Sequence, residues 1–250
     1  MRFIGKIAGG SLGYYFAGPF GALVGVALGH QLFDNSPRTF FGVAMSNRET
    51  KNSVFFAATF SMLGKLAKAD NHVSDEEREE MQNLFKSHFK LSYASEQFAL
   101  KIFNDAIESD TSFEDHASAF YNQFQHDQEV LESMIGIMFR LAYADLDYDK
   151  DEERLIRSAV EIFQLTEVYD QLLLIYQTGT DTLDTSYKIL GCSFDDDMDV
   201  IEDCYHKKTL LYDPENLRQK GVPDELSKIP EDQLIRIKSA YTRIKMDRGL

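Results

Sequence analysis

Residues 198–223 read MDVIEDCYHKKTLLYDPENLRQKGVP, and this stretch decides the fold. Met198, Ile201, Tyr205 and Thr209 recur three or four positions apart, which places them on one face of a helix. Pro214 is expected to end that helix, because its ring clashes with the preceding turn and it carries no amide hydrogen. Asp213-Pro214-Glu215 is therefore expected in a loop. A second loop, Gly221-Val222-Pro223-Asp224, leads into another helix with Leu234, Ile237, Ala240, Tyr241 and Ile244 on one stripe. Upstream lies a short apolar turn, Tyr187-Lys188-Ile189-Leu190-Gly191.

Short helix, long helix, proline-bearing loop, long helix: this order resembles a J-domain, and Pro214-Glu215-Asn216-Leu217 with Lys220-Gly221-Val222-Pro223 resembles the loop of the DjlA-type membrane-anchored J-proteins. Asp213-Pro214-Glu215 falls where that family carries His-Pro-Asp. The resemblance implies that His206, Lys207, Lys208, Asp213, Pro214 and Glu215 face a DnaK-type chaperone, with the triplet coupling docking to ATP hydrolysis by that chaperone. Asp213 replaces a ring that can donate a hydrogen bond with a carboxylate that only accepts. Glu215 keeps a carboxylate one methylene further out. Glu202 and Asp203 stand where the family tends to be basic, and reversed charges on a docking face slow or redirect the encounter. Weakened ATPase stimulation is the expectation.

At 250 residues the chain has room for one or two packed domains and an accessory segment. A net charge of −15 and a pI near 4.8 argue against nucleic acid as a partner, since phosphate binding needs a positive surface. Cys192 and Cys204 form neither a metal-ligand spacing nor a secretory disulfide framework, and read as small core residues in a reducing compartment. The six histidines are scattered, and no nucleophile motif or phosphate-binding glycine loop accompanies them. No enzymatic activity is expected.

From Ile7 to Leu28 no residue is charged, and that length is close to the roughly 20 residues a membrane-crossing helix needs. Gly5, Gly9, Gly13, Ala17, Gly21, Gly25 and Gly29 recur at every fourth position. On a helix they make a groove of small residues that lets a second copy approach closely, so a homodimer through the membrane helix is expected over a glycine-rich anchor without a partner. Gly18-Pro19 either kinks a single span or folds it into a hairpin. Flanking charge does not decide orientation. The segment down to Asp34 resembles the DjlA-type N-terminus, which implies a single-pass protein of the bacterial inner membrane with its C-terminal domains cytoplasmic.

Between about Val54 and Thr178, apolar residues recur at helical spacing with short polar breaks, which predicts an all-α bundle. It carries an internal repeat: Leu66-Ala67-Lys68-Ala69-Asp70, with Ser74 and Glu77, returns 75 positions later as Leu141-Ala142-Tyr143-Ala144-Asp145, with Asp149 and Glu152. The repeat resembles the TerB-like domain, and this resemblance makes Asp70, Glu77, Asp145 and Glu152 candidate ligands for a divalent cation. Helix capping is the alternative for Ser74, Glu77, Asp149 and Glu152, though not for Asp70 and Asp145. An EF-hand over 145–156 is excluded, because Lys150 stands at the turn glycine and Ile156 at the bidentate Glu.

The whole reads as all-α: a glycine-zipper anchor over 1–33, a linker over 34–53, a TerB-like bundle over 54–180 and a J-like domain over 181–250. The function this implies is a membrane-anchored DnaJ-like co-chaperone. The alternative is a membrane-tethered TerB-like interaction or metal-sensing protein with a non-functional J-like tail.

Overall fold

The computed structural model describes residues 39–40, 43–44, 47–69, 83, 85, 89, 91–143, 150–176, 182–227 and 231–250. The glycine series Gly5 to Gly29, the 1–33 anchor and its single-span or hairpin form lie outside the described residues. Among the described residues no helix is long and apolar enough to cross a membrane. Strands β1 (Thr39–Phe40) and β2 (Val43–Ala44) pair antiparallel, Thr39 opposite Ala44, as a minimal ribbon beside a helical body.

Helix α1 (Asn47–Ala67) begins ahead of Val54, inside the stretch expected to be linker. Next come α2 (Tyr93–Glu108), α3 (Phe113–Phe124), α4 (Gln128–Ala142), α5 (Lys150–Ile162), a 3₁₀ turn (Thr166–Val168) and α6 (Tyr169–Tyr176). Caps mark the boundaries: Ser92 accepts from the Ser95 amide, and Ser112 with Asp115 forms a capping box at the start of α3. Each such cap contributes about 1 kcal/mol by satisfying amides that the first turn leaves unpaired.

The two helices that end in the repeated Leu-Ala-x-Ala-Asp, α1 and α4, are the most enclosed of the bundle. From Val54 to Leu63 on α1 and from Val130 to Phe139 on α4 almost every residue is buried, polar ones included. Thr59 and Met134, one repeat apart, touch at 3.8 Å. An amphipathic α5 closes over them with Leu155, Ile156, Ala159 and Val160 inward. Phenylalanines lock the layers: Phe55 meets Phe120 at 5.5 Å, and Phe85 meets Phe103 at 5.2 Å and 90°. Edge-to-face pairs of this kind contribute about 0.5–1.5 kcal/mol beyond their area. Phe98 is 47% exposed and stacks on Phe56 at the margin. Gly64 sits where α1 crosses α2, and a Cβ there would fall 2.6 Å from the Phe103 carbonyl. Only glycine permits that approach.

The tail forms α7 (Leu183–Leu190), α8 (Met198–Leu211), α9 (Pro214–Lys220), α10 (Asp224–Ser227) and α11 (Glu231–Asp247). The expected stripe on α11 is present, with Ile237, Ala240 and Ile244 buried and Leu234 and Tyr241 half-buried. Tyr205 stacks on Tyr241 at 4.1 Å, clipping α8 to α11. The tail packs onto the bundle: α7 lies on α6, and α9 touches α1 and α4. Arg236 donates to the Ile175 carbonyl at 3.0 Å, and the Ser92 amide donates to Glu225 at 3.0 Å. One apolar core runs through both parts.

Candidate functional site

The Asp213–Glu215 segment is not a loop. Pro214 stands at the first position of α9, where its missing amide hydrogen costs nothing and its fixed φ already suits a helix. Asp213 is the N-cap, its carboxylate accepting from the Asn216 amide at 2.8 Å. Helix α8 ends at Leu211, and after Tyr212 and Asp213 the chain starts again at Pro214 itself. Gly221, at φ +107°, ends α9. The Asp213 carboxylate is thus engaged in holding its own helix together, which a carboxylate does well and a histidine does poorly. Glu215 is also engaged: its side chain accepts from Arg218 at 2.6 Å and from Gln219 at 3.3 Å. The Arg218 hydrogen bond holds the Glu215 carboxyl below its usual range. Arg218 in turn bonds Asp224 at 2.8 Å.

On α8 the expected basic face divides. His206 and Lys207 are exposed and answer Glu202 and Asp203 one turn earlier, at 3.7 Å and 2.5 Å. The hydrogen bond that Lys207 donates to Asp203 raises the Lys207 pKa. Lys208 does not belong to that face, since it is only 7% exposed. It lies seven residues, two helical turns, after the buried Ile201 and points with it toward the bundle, so its placement on the open docking surface is corrected. The spacing of Ile201, Tyr205, Lys208 and Tyr212 carries that information, but a reading that treats lysine as a surface residue overlooks it.

Glu132 of α4 is 1% exposed and lies within electrostatic reach of Lys208. Burial raises the Glu132 pKa, and the Lys208 charge pulls it back down. Its Oε1 accepts from Gln128 at 2.8 Å, and the Tyr212 hydroxyl faces the same carboxylate. Beyond it, Lys220 meets Glu129 at 2.5 Å and Asp127 at 4.0 Å, and Asp127 also pairs with Lys51 at 2.9 Å. None of these α4 carboxylates was singled out from sequence. The signal for Glu132 is a lone acid inside the apolar run Val130–Phe139.

Of the candidate cation ligands, Asp70, Glu77 and Asp145 lie outside the described residues, and Glu152 is in the first turn of α5. Among the described residues no group of three or more His, Cys, Asp or Glu side chains is arranged to hold a metal ion. Cys192 and Cys204 are free and half-buried against the core, and burial pushes the Cys192 thiol up to about 11. That places it far from a reactive thiolate at neutral pH.

Residues 56–170 match the family described as Tellurite resistance protein TerB, and residues 1–48 match the Co-chaperone DjlA transmembrane domain. Among curated relatives, the Co-chaperone protein DjlA of Coxiella burnetii is 25% identical over 270 residues, covering 100% of each chain. That of Shewanella oneidensis is 28% identical over 263 residues, again covering 100% of each. That of Pasteurella multocida is 24% identical over 288 residues, covering 100% of this chain and 99% of the relative. No solved structure matches. The transmembrane match covers the expected anchor, and the TerB match runs from within α1 to the start of α6.

Proposed function

From the premise that this chain belongs to the DjlA-type co-chaperone family, we propose that it recruits or regulates a DnaK-type chaperone at the bacterial inner membrane. In this reading a single N-terminal span dimerises through its glycine face and the helical body is cytoplasmic. The contact surface is the outer face of α8, with His206 and Lys207, together with Asp213-Pro214-Glu215 at the head of α9. The protein itself turns over no nucleotide. The observation that carries the reading is similarity along the whole length to co-chaperones, together with the transmembrane-domain match over 1–48 and the TerB match over 56–170.

Full-length protein in vesicles, added to the DnaK-type chaperone of the same organism, tests it through steady-state ATP hydrolysis. Stimulation that disappears in Lys207→Glu is expected. Asp213→His separates docking from triggering: stimulation that appears only in this variant would identify a docking module without its trigger, and none in either protein would refute the co-chaperone reading.

A second reading has an observation of its own in favour. The carboxylates of Asp213 and Glu215 are tied up within α9, which suits a structural helix cap better than a trigger. Here the TerB-like bundle carries the function as an interaction or metal-sensing domain, with a divalent cation held by Asp70, Glu77, Asp145 and Glu152. Calorimetric titration with Ca²⁺ and Mg²⁺ should give heat that vanishes in Asp70→Asn/Asp145→Asn, and unchanged heat would reject these ligands.

A further inference from the structure

The basic side of the J-like unit is neutralised from within the chain. Lys207, 74% exposed along its side chain, is paired with Asp203 of its own helix. Lys208 and Lys220 are handled differently, because the carboxylates that answer them come from the N-terminal half of α4 in the bundle. Lys220 and Glu129 meet at 2.5 Å with side chains only 27% and 18% exposed, and the buried Lys208 lies within electrostatic reach of the buried Glu132. Asp127 completes this acidic edge and holds Lys51 beside the glycine that ends α9. Of these contacts, those of Lys220 with Glu129 and Asp127 form only while the tail is seated, whereas Lys51 and Asp127 pair within the bundle itself.

Leu217, Val222 and Leu226 are buried and supply the apolar part of the contact. The polar part is costly as a purely stabilising device, since a buried Lys–Glu pair gives little net stability over apolar residues of similar size. What charges at such a contact do supply is selectivity and sensitivity to competing charge.

We propose that the edge of α4 formed by Asp127, Glu129 and Glu132 is an intramolecular docking surface that masks Lys208 and Lys220, so that an acidic external partner competes with it for the same two cations. Only the identity of that partner rests on the co-chaperone reading. The seated tail presents Lys207 and the head of α9; the released tail adds Lys208 and Lys220.

The test uses full-length protein in vesicles, a small amine-reactive ester read out by mass spectrometry, and hydrogen exchange of residues 214–227. Exposed Lys207 serves as the internal reference. In the parent, Lys208 is expected to be modified far more slowly than Lys207. Glu129→Lys, and independently Lys220→Glu, should raise the Lys208-to-Lys207 ratio and the exchange rate by about five- to tenfold, the range that loss of an ion pair followed by repulsion supplies. The swapped double variant Glu129→Lys/Lys220→Glu should restore both. Unchanged ratio and exchange in the single variants, or no restoration in the double, would overturn the masking. A DnaK-type chaperone should bind Glu129→Lys several-fold more tightly than the parent; equal binding to both would overturn the competition. Binding to neither, with the acylation pattern as expected, would leave the docking surface standing and remove the co-chaperone reading instead.

Discussion

The Asp213 carboxylate caps α9, 2.8 Å from the Asn216 amide. Asp213→Ala should therefore cost about 1 kcal/mol locally and accelerate hydrogen exchange of residues 214–220 about fivefold, while Asp213→Asn stays within a few tenths of a kcal/mol of the parent. A second residue carries a pH dependence. His116 is 1% exposed, and burial, reinforced by Lys65, lowers its pKa from 6.5 to about 4. Folded His116 is neutral across that interval while the unfolded imidazole takes up a proton below pH 6.5. Its contribution is complete above about pH 6.5 and is lost as the pH falls toward 4, amounting to about 2 kcal/mol by pH 5. Urea unfolding at pH 7 and pH 5 should show that loss in the parent and a smaller one in His116→Leu.

At the scale of elements, the segment from α9 to α10 joins the J-like unit to the bundle, and Gly221 is its tightest point. Its φ is +107°, and a Cβ would lie 2.5 Å from the Lys51 Cβ. Gly221→Ala should cost roughly 2–3 kcal/mol, combining left-handed strain with displacement of Lys51. Gly249→Ala, at φ +75° with nothing within 4 Å, should cost about 1 kcal/mol or less. Thermal unfolding of the two variants side by side measures the difference. The helices α7, α8 and α11 and their stripes were legible in the sequence, because amphipathic spacing is local. The restart at Pro214 was less so: the proline that stops one helix equally suits the first turn of the next, and which applies depends on the Asp213 cap and on the place to which Leu217 is drawn.

At the scale of the whole molecule, tail and bundle share one core, and the buried Lys208 of the tail lies within electrostatic reach of the buried Glu132 of α4. Glu132→Ala should destabilise the protein by about 3–5 kcal/mol by leaving Lys208 buried without a counter-charge, whereas Glu132→Met/Lys208→Met should come much closer to the parent. Denaturant unfolding of the two variants decides whether the pair is coupled as the packing indicates.

The sequence by itself determined the all-α architecture, the 75-residue repeat, and the amphipathic stripes of the tail helices. Each of these is written in spacing along the chain or in local cap chemistry. Tertiary structure alone decided that Lys208 is buried, that the carboxylates of Asp213 and Glu215 bond to groups of α9 itself, and that α4 carries acids facing the tail. Periodicity states which residues share a face but not what that face meets, and a lysine's charge is legible long before the carboxylate that answers it 76 residues earlier in the chain.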